Sequence, residues 1–474
     1  MLRILLPLLF TFSLIAAACS STSGDSEDAN PTPTVDISEI ETGELRDFGP
    51  PPEYPDGPWP PETGELLGAV VAQLSLGDNP EAQLAELGET GDARVAWALA
   101  DLQRFVVGPP VGDSVNNALE ALLGIEIGGI TAWGDTIDAL IAWDIPVPDG
   151  YFTFKRDFYS RVDPRWEPLF TDFNTIDWRY VSWGGVLIDD REPGDNGPCN
   201  CIPALDDPVV TPAADGDWYP DERIVFGVVI NDEARAYPKN IMEVHEMVND
   251  TLGGRRIGIP YCTLCGSAQA YLTDELDDET WEQPTFRTSG FLIRSNKMMY
   301  EVNTQSFIDT FTGAANSGPM AEAGVTFNQV SVITTTWAEW KEAHPDTTIV
   351  AEDGGIGRSY ELDPLGGRDD NGPIFPIGPR DPRLPVQEPV LGVFTEDGTP
   401  VAFHVGVARD LLEAGERVVV DDIELELDGG GVRAVRADGS DAGGHQAFWF
   451  AWSQFRPRTQ LWPHDYQPED APEE

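Results

Sequence analysis

The chain has 474 residues, of which 29 are Lys or Arg and 82 are Asp or Glu, so its formal net charge is −53 at pH 7. So acidic a field argues against nucleic acid and anionic lipid head groups as partners. The length allows two or three domains, and five cysteines in so long a chain do not make a disulfide scaffold.

The first 18 residues are predicted to be a secretory signal peptide, because one Arg precedes a short apolar run that ends in small residues. The sequence Ala-Ala-Ala-Cys at 16–19 resembles the lipobox of bacterial lipoproteins. This resemblance implies cleavage before Cys19 and lipid on its thiol; the alternative is an ordinary signal peptide with a chance cysteine. We therefore expect a lipid-anchored protein on the extracytoplasmic side of a cell-envelope membrane, where disulfides can persist.

Residues 19–62 are predicted to be an acidic tether, since their Ser, Asp and Pro content cannot bury a core. Residues 63–180 place apolar residues at helical spacing, with short breaks such as GDNP and GPPVGD. We interpret this part as a small helical domain of HEAT-like paired helices. Stacked helices of this kind often bind a partner protein.

From residue 181 onward Gly, Pro and β-branched residues become more frequent, and strands are predicted in ERIVFGVVIND, GRRIGIPYC, TFRTSGFLI and VTFNQVSVITTT. One helix is predicted over 237–254, beginning at Pro238 and ending at Gly253. Residues 465–474 form an acidic tail. The predicted fold class is α+β, with the helical domain followed by a large β-rich domain over 181–464.

The β-rich part also contains two pairs of similar segments in the same order. ERIVFGVVINDEARAY at 222–237 resembles EPVLGVFTEDGTPVAF at 388–403, and WKEAHPDTTI at 340–349 resembles WSQFRPRTQL at 452–461. This order predicts two related halves, about 190–350 and 380–464. The alternative is two unrelated segments of similar composition. The second half has no cysteine, so any thiol chemistry is expected in the first half.

The segment IPYCTLCGSA carries two thiols, Cys262 and Cys265, directly after a predicted strand. The predicted helix before that strand can return His245 towards them. These three side chains are suitable ligands for zinc or copper, with Glu246 or Asp250 as an orienting group or a base. HEMVND lacks the second His of a zincin, and no nucleotide-cofactor motif is present. The sequence does not decide whether the protein is an enzyme, nor its substrate.

Two other interpretations use the same thiols. They can form a thiol–disulfide oxidoreductase pair, although no thioredoxin-like βαβ pattern surrounds them, or a structural disulfide in a surface scaffold. Cys199 and Cys201 form a CxC sequence, and neighbours so close are not expected to pair with each other without strain. They could bridge to other groups, or complete a Cys₄ site with Cys262 and Cys265.

Several of these segments together resemble domain of unknown function 3179, an uncharacterised bacterial family, over roughly 190–465. The family patterns are AYP, HE-x-x-ND, YCPLCG, SG-x-L-x-x-S-x-x-x-Y and T-x-SLW-x-Q. Besides the candidate residues already named, the resemblance marks Tyr237, Pro238, Asn249, Tyr261, Gly266, Ser289, Gly290, Leu292, Ser295, Tyr300, Thr304 and Ser306. The chain departs from the family at Thr263, which replaces a Pro, and after Ser306, where Phe307 and Asp309 stand in a segment that in the family contains Trp and Gln. The resemblance implies motif positions but no reaction.

Overall fold

The computed structural model describes residues 35, 40–106, 108–276, 281–368 and 372–464. The predicted signal peptide, Cys19, most of the first half of the tether and the acidic tail lie outside these residues. Within the part that is described, no helix is long and apolar enough to cross a membrane.

The N-terminal part of the described chain is helical. Its helices are α1 (Pro61–Leu76), α2 (Glu81–Gly88), α3 (Val95–Gln103), α4 (Val111–Leu123), α5 (Ala132–Ala142) and α6 (Tyr151–Val162). Helix α4 shows why they form, because Val115, Leu119 and Leu122 recur on one buried face. It ends at Gly124, whose φ of 68° is the left-handed conformation that terminates helices.

The helical part shares its core with the β-rich part. Its buried residues form one cluster with Phe291, Met298 and Phe307, which lie in the β-rich part of the chain. Trp166 is fully buried in this cluster and donates a hydrogen bond from Nε1 to the carbonyl oxygen of Ser289 at 2.9 Å. The helices therefore pack directly against the first sheet.

The β-rich part begins at residue 181. Its strands, in chain order, are β1 (Val181–Trp183), β2 (Leu205–Asp206), β3 (Val210–Pro212), β4 (Ile224–Ile230), β5 (Glu233–Pro238), β6 (Met247–Leu252), β7 (Arg255–Cys262), β8 (Ser267–Ala268), β9 (Ala270–Leu272), β10 (Phe286–Ile293), β11 (Asn296–Glu301), β12 (Phe307–Asp309), β13 (Gln329–Val330), β14 (Ile333–Thr336), β15 (Thr348–Val350), β16 (Pro389–Phe394), β17 (Pro400–His404), β18 (Val418–Val420), β19 (Ile423–Asp428), β20 (Gly431–Arg436), β21 (His445–Phe448) and β22 (Gln460–Trp462). Between them lie α7 (Lys239–His245), α8 (Gly318–Glu322), α9 (Trp337–Ala343), α10 (Val405–Glu413) and α11 (Trp449–Phe455).

These strands form five sheets in the described part of the chain. The strand orders are β1-β10-β11-β12, β13-β9-β7-β6-β2 with β8 on β7, β14-β4-β5-β15-β3, β21-β16-β17-β22 and β18-β19-β20. The fold class is thus N-terminal helices followed by a large β-rich region. The candidate thiols lie at the end of β7, in the second of these sheets.

Two of the sheets share one strand arrangement, β14-β4-β5-β15 and β21-β16-β17-β22. In both, the first three strands are antiparallel and the fourth runs parallel to the third. In both, a Trp on the preceding helix donates from Nε1 to a Thr hydroxyl, Trp340 to Thr347 at 3.0 Å and Trp452 to Thr459 at 2.9 Å. These positions coincide with the paired segments of the sequence.

The helix predicted over 237–254 is wrong in its second half. Helix α7 ends at His245, Glu246 takes the left-handed conformation with a φ of 50°, and β6 follows at once. Gly253 and Gly254 form the turn from β6 to β7 rather than a helix end. Apolar residues four apart fit a strand as well as a helix, because four is a multiple of the strand period. Asn249 therefore lies on a strand and shares no helix face with His245.

Candidate functional site

The two thiols of the CxxC segment lie on one tight turn. Strand β7 ends at Cys262, the N–H of Cys265 donates to the carbonyl oxygen of Cys262 at 3.2 Å, and the chain returns as β8. Gly266 has a φ of 58°, and a Cβ there would lie 2.9 Å from the ring of Phe448. The turn therefore needs glycine at this position, and it holds both sulfur atoms against the same neighbour.

That neighbour is the tip of the β10–β11 hairpin. Arg294 and Ser295 form its two-residue turn with φ values of 47° and 64°, the combination of a type I′ turn. The turn directs the carbonyl oxygen of Ser295 at the thiols, 3.9 Å from Cys262 Sγ and 3.7 Å from Cys265 Sγ. Both cysteines are free and buried.

A buried ion pair lies beside Cys262. Lys297 Nζ donates to Glu246 Oε2 at 2.5 Å and to the carbonyl oxygen of Glu246 at 3.1 Å. Glu246 is directed here because it occupies the left-handed residue between α7 and β6. Thr263, the residue that replaces the family's Pro, lies with its hydroxyl 3.5 Å from Glu246 Oε1. Glu246, one of the candidates named from the sequence, thus forms its ion pair with a lysine and not with His245.

The surroundings divide the two thiols electrostatically. Burial and the Glu246 charge oppose ionisation of Cys262. Hydrogen bonds from Cys265 and from the backbone N–H of Lys297 favour ionisation, as does the Lys297 charge, and together they outweigh the first two effects. The pKa of Cys262 is therefore lowered. Burial raises the pKa of Cys265 well above its ordinary value, and the hydrogen bond to Cys262 raises it further. Of the two thiols, Cys262 is thus the one that ionises more readily.

Only Cys262 of the two faces open space. It lines a cavity of about 110 Å³ together with Glu246, Thr263 and Lys297. The remaining wall is mainly apolar and includes Val186, Ile202, Leu264, Phe291, Leu292, Ile374 and Phe375, with Arg368 as a further charged residue. A small molecule in this cavity would meet Cys262 and not Cys265.

His245 lies in a different environment from the thiols. Its Nδ1 is 2.6 Å from the carbonyl oxygen of Pro203, and its Nε2 is 2.6 Å from the hydroxyl of Tyr360. Burial lowers its pKa to about 4, so the imidazole is neutral at pH 7. Among the described residues, His245 does not join Cys262 and Cys265 in a group whose ligand atoms lie within metal-binding reach.

Asn249 and Asp250, the other polar residues of the HE-x-x-ND motif, are held in buried networks. Asn249 donates to Asp206 Oδ1 at 2.8 Å and accepts from the N–H of Phe286 at 3.0 Å. Asp250 accepts from Arg235 at 2.7 Å and from the hydroxyl of Tyr237 at 2.8 Å. Its carboxylate is therefore engaged within the fold and does not line the cavity.

The remaining motif positions mostly stabilise the same region. Ser289 Oγ donates to the carbonyl oxygen of Met298 at 2.6 Å. The hydroxyl of Tyr300 donates to the backbone carbonyl oxygen of Asp189 at 2.6 Å. Gly290 lines the cavity with a φ of 84°, and a Cβ there would lie 2.5 Å from a backbone oxygen of Val186. The others are buried or hydrogen-bonded locally: Tyr261 packs on Phe226, while Thr304 and Ser306 bond to each other and Thr304 to Glu301.

Cys199 and Cys201 form a disulfide with each other, contrary to the expectation that a CxC pair would avoid this. They consequently do not complete a Cys₄ site with the CxxC thiols. Their sulfur atoms and a carboxylate oxygen of Asp189 all lie within 4.8 Å of one another, so this Cys/Asp cluster could hold a metal ion. Asp189 already binds Arg191 at 2.7 Å through each of its oxygens.

The family model described as Protein of unknown function (DUF3179) matches residues 199–441, which include the CxxC turn, the hairpin and the ion pair. The chain belongs to this family. No curated protein and no solved structure matches the chain in the comparisons made.

Sequence reasoning missed Lys297, which is the cation beside the Cys262 thiol. A signal was present, because the chain has four lysines and this one stands next to Met298 and Met299 inside the family motif segment. A lysine is rarely buried unless it is paired. Its partner Glu246 lies 51 residues earlier, so spacing along the chain gave no indication of the contact.

Proposed function

We propose that Cys262 and Cys265 form a dithiol–disulfide redox centre, with Cys262 as the nucleophile and Cys265 as the resolving thiol. The observation that carries this proposal is the asymmetry of the pair. Both sulfurs lie against the same carbonyl oxygen, but Cys262 lines the cavity and Cys265 does not, and the pKa is lowered at Cys262 and raised at Cys265. A lowered thiol pKa beside a second thiol is the arrangement that thiol redox centres use.

The same surroundings favour redox chemistry over a metal site at this pair. Zinc and copper sites take three or four ligands, and His245 is occupied by Pro203 and Tyr360. The Lys297 ammonium next to Cys262 stabilises a thiolate but repels a cation. In the redox cycle, the two thiols lose two protons and two electrons to an oxidant and form one sulfur–sulfur bond.

The test is a redox titration of the full chain with Cys19→Ser in dithiothreitol buffers of defined ratio. We expect Cys262 and Cys265 to interconvert reversibly between two alkylatable thiols and one disulfide, read by mass after iodoacetamide. Cys265→Ser should leave Cys262 the faster-alkylated thiol at pH 7, and Cys262→Ser should leave a slow one. Failure to form the intramolecular disulfide under any buffer would overturn the proposal.

A second candidate function is metal binding at the Cys/Asp cluster. Once the Cys199–Cys201 disulfide is reduced, two thiolates and Asp189 would offer three ligands suited to zinc or copper. Elemental mass spectrometry of the reduced protein tests this, with Cys199→Ser as the variant expected to lose the ion. Metal that persists in that variant but disappears with Cys262→Ser would instead restore the CxxC–His245 site.

The cellular placement is also a proposal. The signal peptide and the lipobox-like sequence support anchoring through lipid on Cys19, on the extracytoplasmic side of the envelope. Fractionation of cells that express the full chain and the Cys19→Ala variant tests it. We expect the first in the membrane fraction and the second released. An unchanged distribution would contradict lipid anchoring.

The two sheets with one strand arrangement support descent from a duplicated unit, of which the second copy has lost the cysteines. The helices α1–α6 support a HEAT-like stack that presents a face to a partner protein. In this proposal the first copy carries the chemistry, because the two thiols, Glu246 and Lys297 all lie within residues 190–350.

A further inference from the structure

We propose that the oxidant of the Cys262–Cys265 centre is a small apolar hydroperoxide. This inference rests on the proposed redox function and adds the class of substrate that the cavity admits. Three features carry it: the size and lining of the cavity, the burial of the two sulfurs, and the groups that surround Cys262 where a peroxide would be cleaved.

The cavity fits a small apolar group. Its volume is about 110 Å³, somewhat less than the roughly 150 Å³ of a cavity that takes up benzene. Apolar side chains such as Phe291 and Leu292 form most of its wall, and Ile374, which is 46% exposed, marks the side that faces solvent. An alkyl group of about four carbons fits such a space and is favoured by the release of water from its surface.

The burial of the thiols selects for an electrophile at the end of a molecule. Cys262 is 3% exposed and Cys265 is fully buried. A thiolate that attacks a disulfide must reach a sulfur with substituents on both sides, and the leaving group must lie in line behind it. In a hydroperoxide the attacked oxygen is terminal, so it can enter first while its alkyl group remains in the apolar part of the cavity. The buried position of Cys262 in this cavity therefore suits attack on the terminal oxygen of a hydroperoxide better than attack on a disulfide.

The reaction balances with the groups present. The Cys262 thiolate attacks the terminal oxygen, the O–O bond breaks, and the alkoxide takes a proton to leave as the alcohol, with sulfenic acid on Cys262. The Cys265 thiol then attacks the Cys262 sulfur, and its proton leaves with the hydroxyl group as water. The sum is one hydroperoxide and two thiols giving one alcohol, one water and one disulfide.

Lys297 lies where negative charge develops. Its ammonium group donates to Glu246 at 2.5 Å, and its backbone N–H donates to the Cys262 sulfur. A fixed cation and a backbone donor beside the reacting sulfur stabilise negative charge without having to reorient as water does. They stabilise the negative charge of the thiolate before the attack and that of the leaving alkoxide after it. The site therefore needs no metal ion to cleave the O–O bond.

The experiment uses the reduced full chain with Cys19→Ser and follows loss of free thiol by rapid mixing at pH 7. The probes are tert-butyl hydroperoxide, hydrogen peroxide and 2-hydroxyethyl disulfide. We expect tert-butyl hydroperoxide to react at least tenfold faster than either of the others, with one tert-butanol formed per disulfide. With Cys265→Ser the sulfenic acid should accumulate on Cys262 and be trapped by dimedone.

A variant at the cavity wall gives the matched control. Ile374→Asn places a polar, uncharged side chain in the apolar wall and leaves the thiols, Glu246 and Lys297 unchanged; it should slow tert-butyl hydroperoxide at least fivefold and leave hydrogen peroxide unaffected. If the small disulfide oxidises the pair fastest, the redox centre stands and the hydroperoxide inference is overturned. If no probe forms the intramolecular disulfide, both fail.

Discussion

At the residue scale, burial raises the pKa of Cys262, the hydrogen bond from Cys265 lowers it, and two neighbouring charges act in opposite directions. Lys297 lowers the pKa of this thiol and Glu246 raises it, while the two form an ion pair with each other. Cys262 and Cys265 were predictable from the sequence because CxxC is a local pattern. Lys297 was not, because its role follows from a contact between the hairpin tip and the end of α7.

Removing the cation and removing the anion of this ion pair should shift the pKa of Cys262 in opposite directions. Lys297→Met removes the cation and should raise the pKa of Cys262, so alkylation by iodoacetamide at pH 7 slows about tenfold. Glu246→Gln removes the anion and should lower that pKa and speed alkylation. Both are measured in the Cys265→Ser background. General destabilisation would speed both, so changes of the same sign would contradict this account.

The buried imidazole of His245 should make stability depend on pH. Its pKa is lowered to about 4 in the folded protein, from an ordinary value of 6.5. Between these values the unfolded chain binds a proton that the folded chain does not, so the free energy of unfolding falls as the pH falls. At pH 5 the loss is about 2 kcal/mol relative to neutral pH.

The measurement compares thermal unfolding of the protein and of His245→Gln at pH 7.5 and pH 5. The variant lacks the titrating group and should lose less stability between the two pH values, although it starts from a lower value because the contacts to Pro203 and Tyr360 change. Parallel losses in the two proteins would show that other groups dominate the acid sensitivity.

At the element scale, β-strand segments were predicted better than helix ends. The predicted strands around 224–230, 255–262 and 286–293 are present, because runs of β-branched and apolar residues with Gly at the turns distinguish them locally. The helix that was extended to residue 254 failed because its apolar spacing fits both periods. The paired segments of the sequence lie in the two sheets that share one strand arrangement.

The close contact between a glycine and a tryptophan in each of these sheets gives a matched pair of tests. A Cβ at Gly227 would lie 2.3 Å from the Trp340 ring, and one at Gly392 would lie 2.1 Å from the Trp452 ring. Each change to Ala should therefore lower the free energy of unfolding by about 1–3 kcal/mol. Gly68→Ala on α1 is the control, since no atom lies within 4 Å of its Cβ and helix propensity improves. Unfolding in urea measures all three, and equal stability would refute the contact.

At the scale of the whole molecule, the cavity is assembled from distant parts of the chain. Val186 comes from the loop after β1, Lys297 from β11, and Phe375 from the connection between the two similar sheets. Phe375 also packs against Trp133 of the helical part, with ring centroids 5.8 Å apart. The helices thus support the wall of the cavity as well as the first sheet.

The net charge of −53 should make stability sensitive to salt at low ionic strength. Self-repulsion acts over about 30 Å at 0.01 M salt and about 8 Å at 0.15 M. The melting temperature should therefore rise by about 5 °C or more over this range. Sodium chloride and choline chloride should act equally, because screening depends on ionic strength. A flat profile, or an effect of one salt alone, would rule out self-repulsion as the cause.

The sequence by itself determined the acidic character, the helical and β-rich parts, the repeated segments and the CxxC pair. These properties are carried by composition and by residues close together along the chain. Only the tertiary structure decided that His245 turns to Pro203 and Tyr360, that Cys199 pairs with Cys201, and that Lys297 lies beside Cys262. The contacts of His245 and Lys297 join residues far apart in sequence, and they follow from how the hairpins and loops pack. Cys199 and Cys201 are only two residues apart, and the conformation of their segment decides whether the two sulfurs meet.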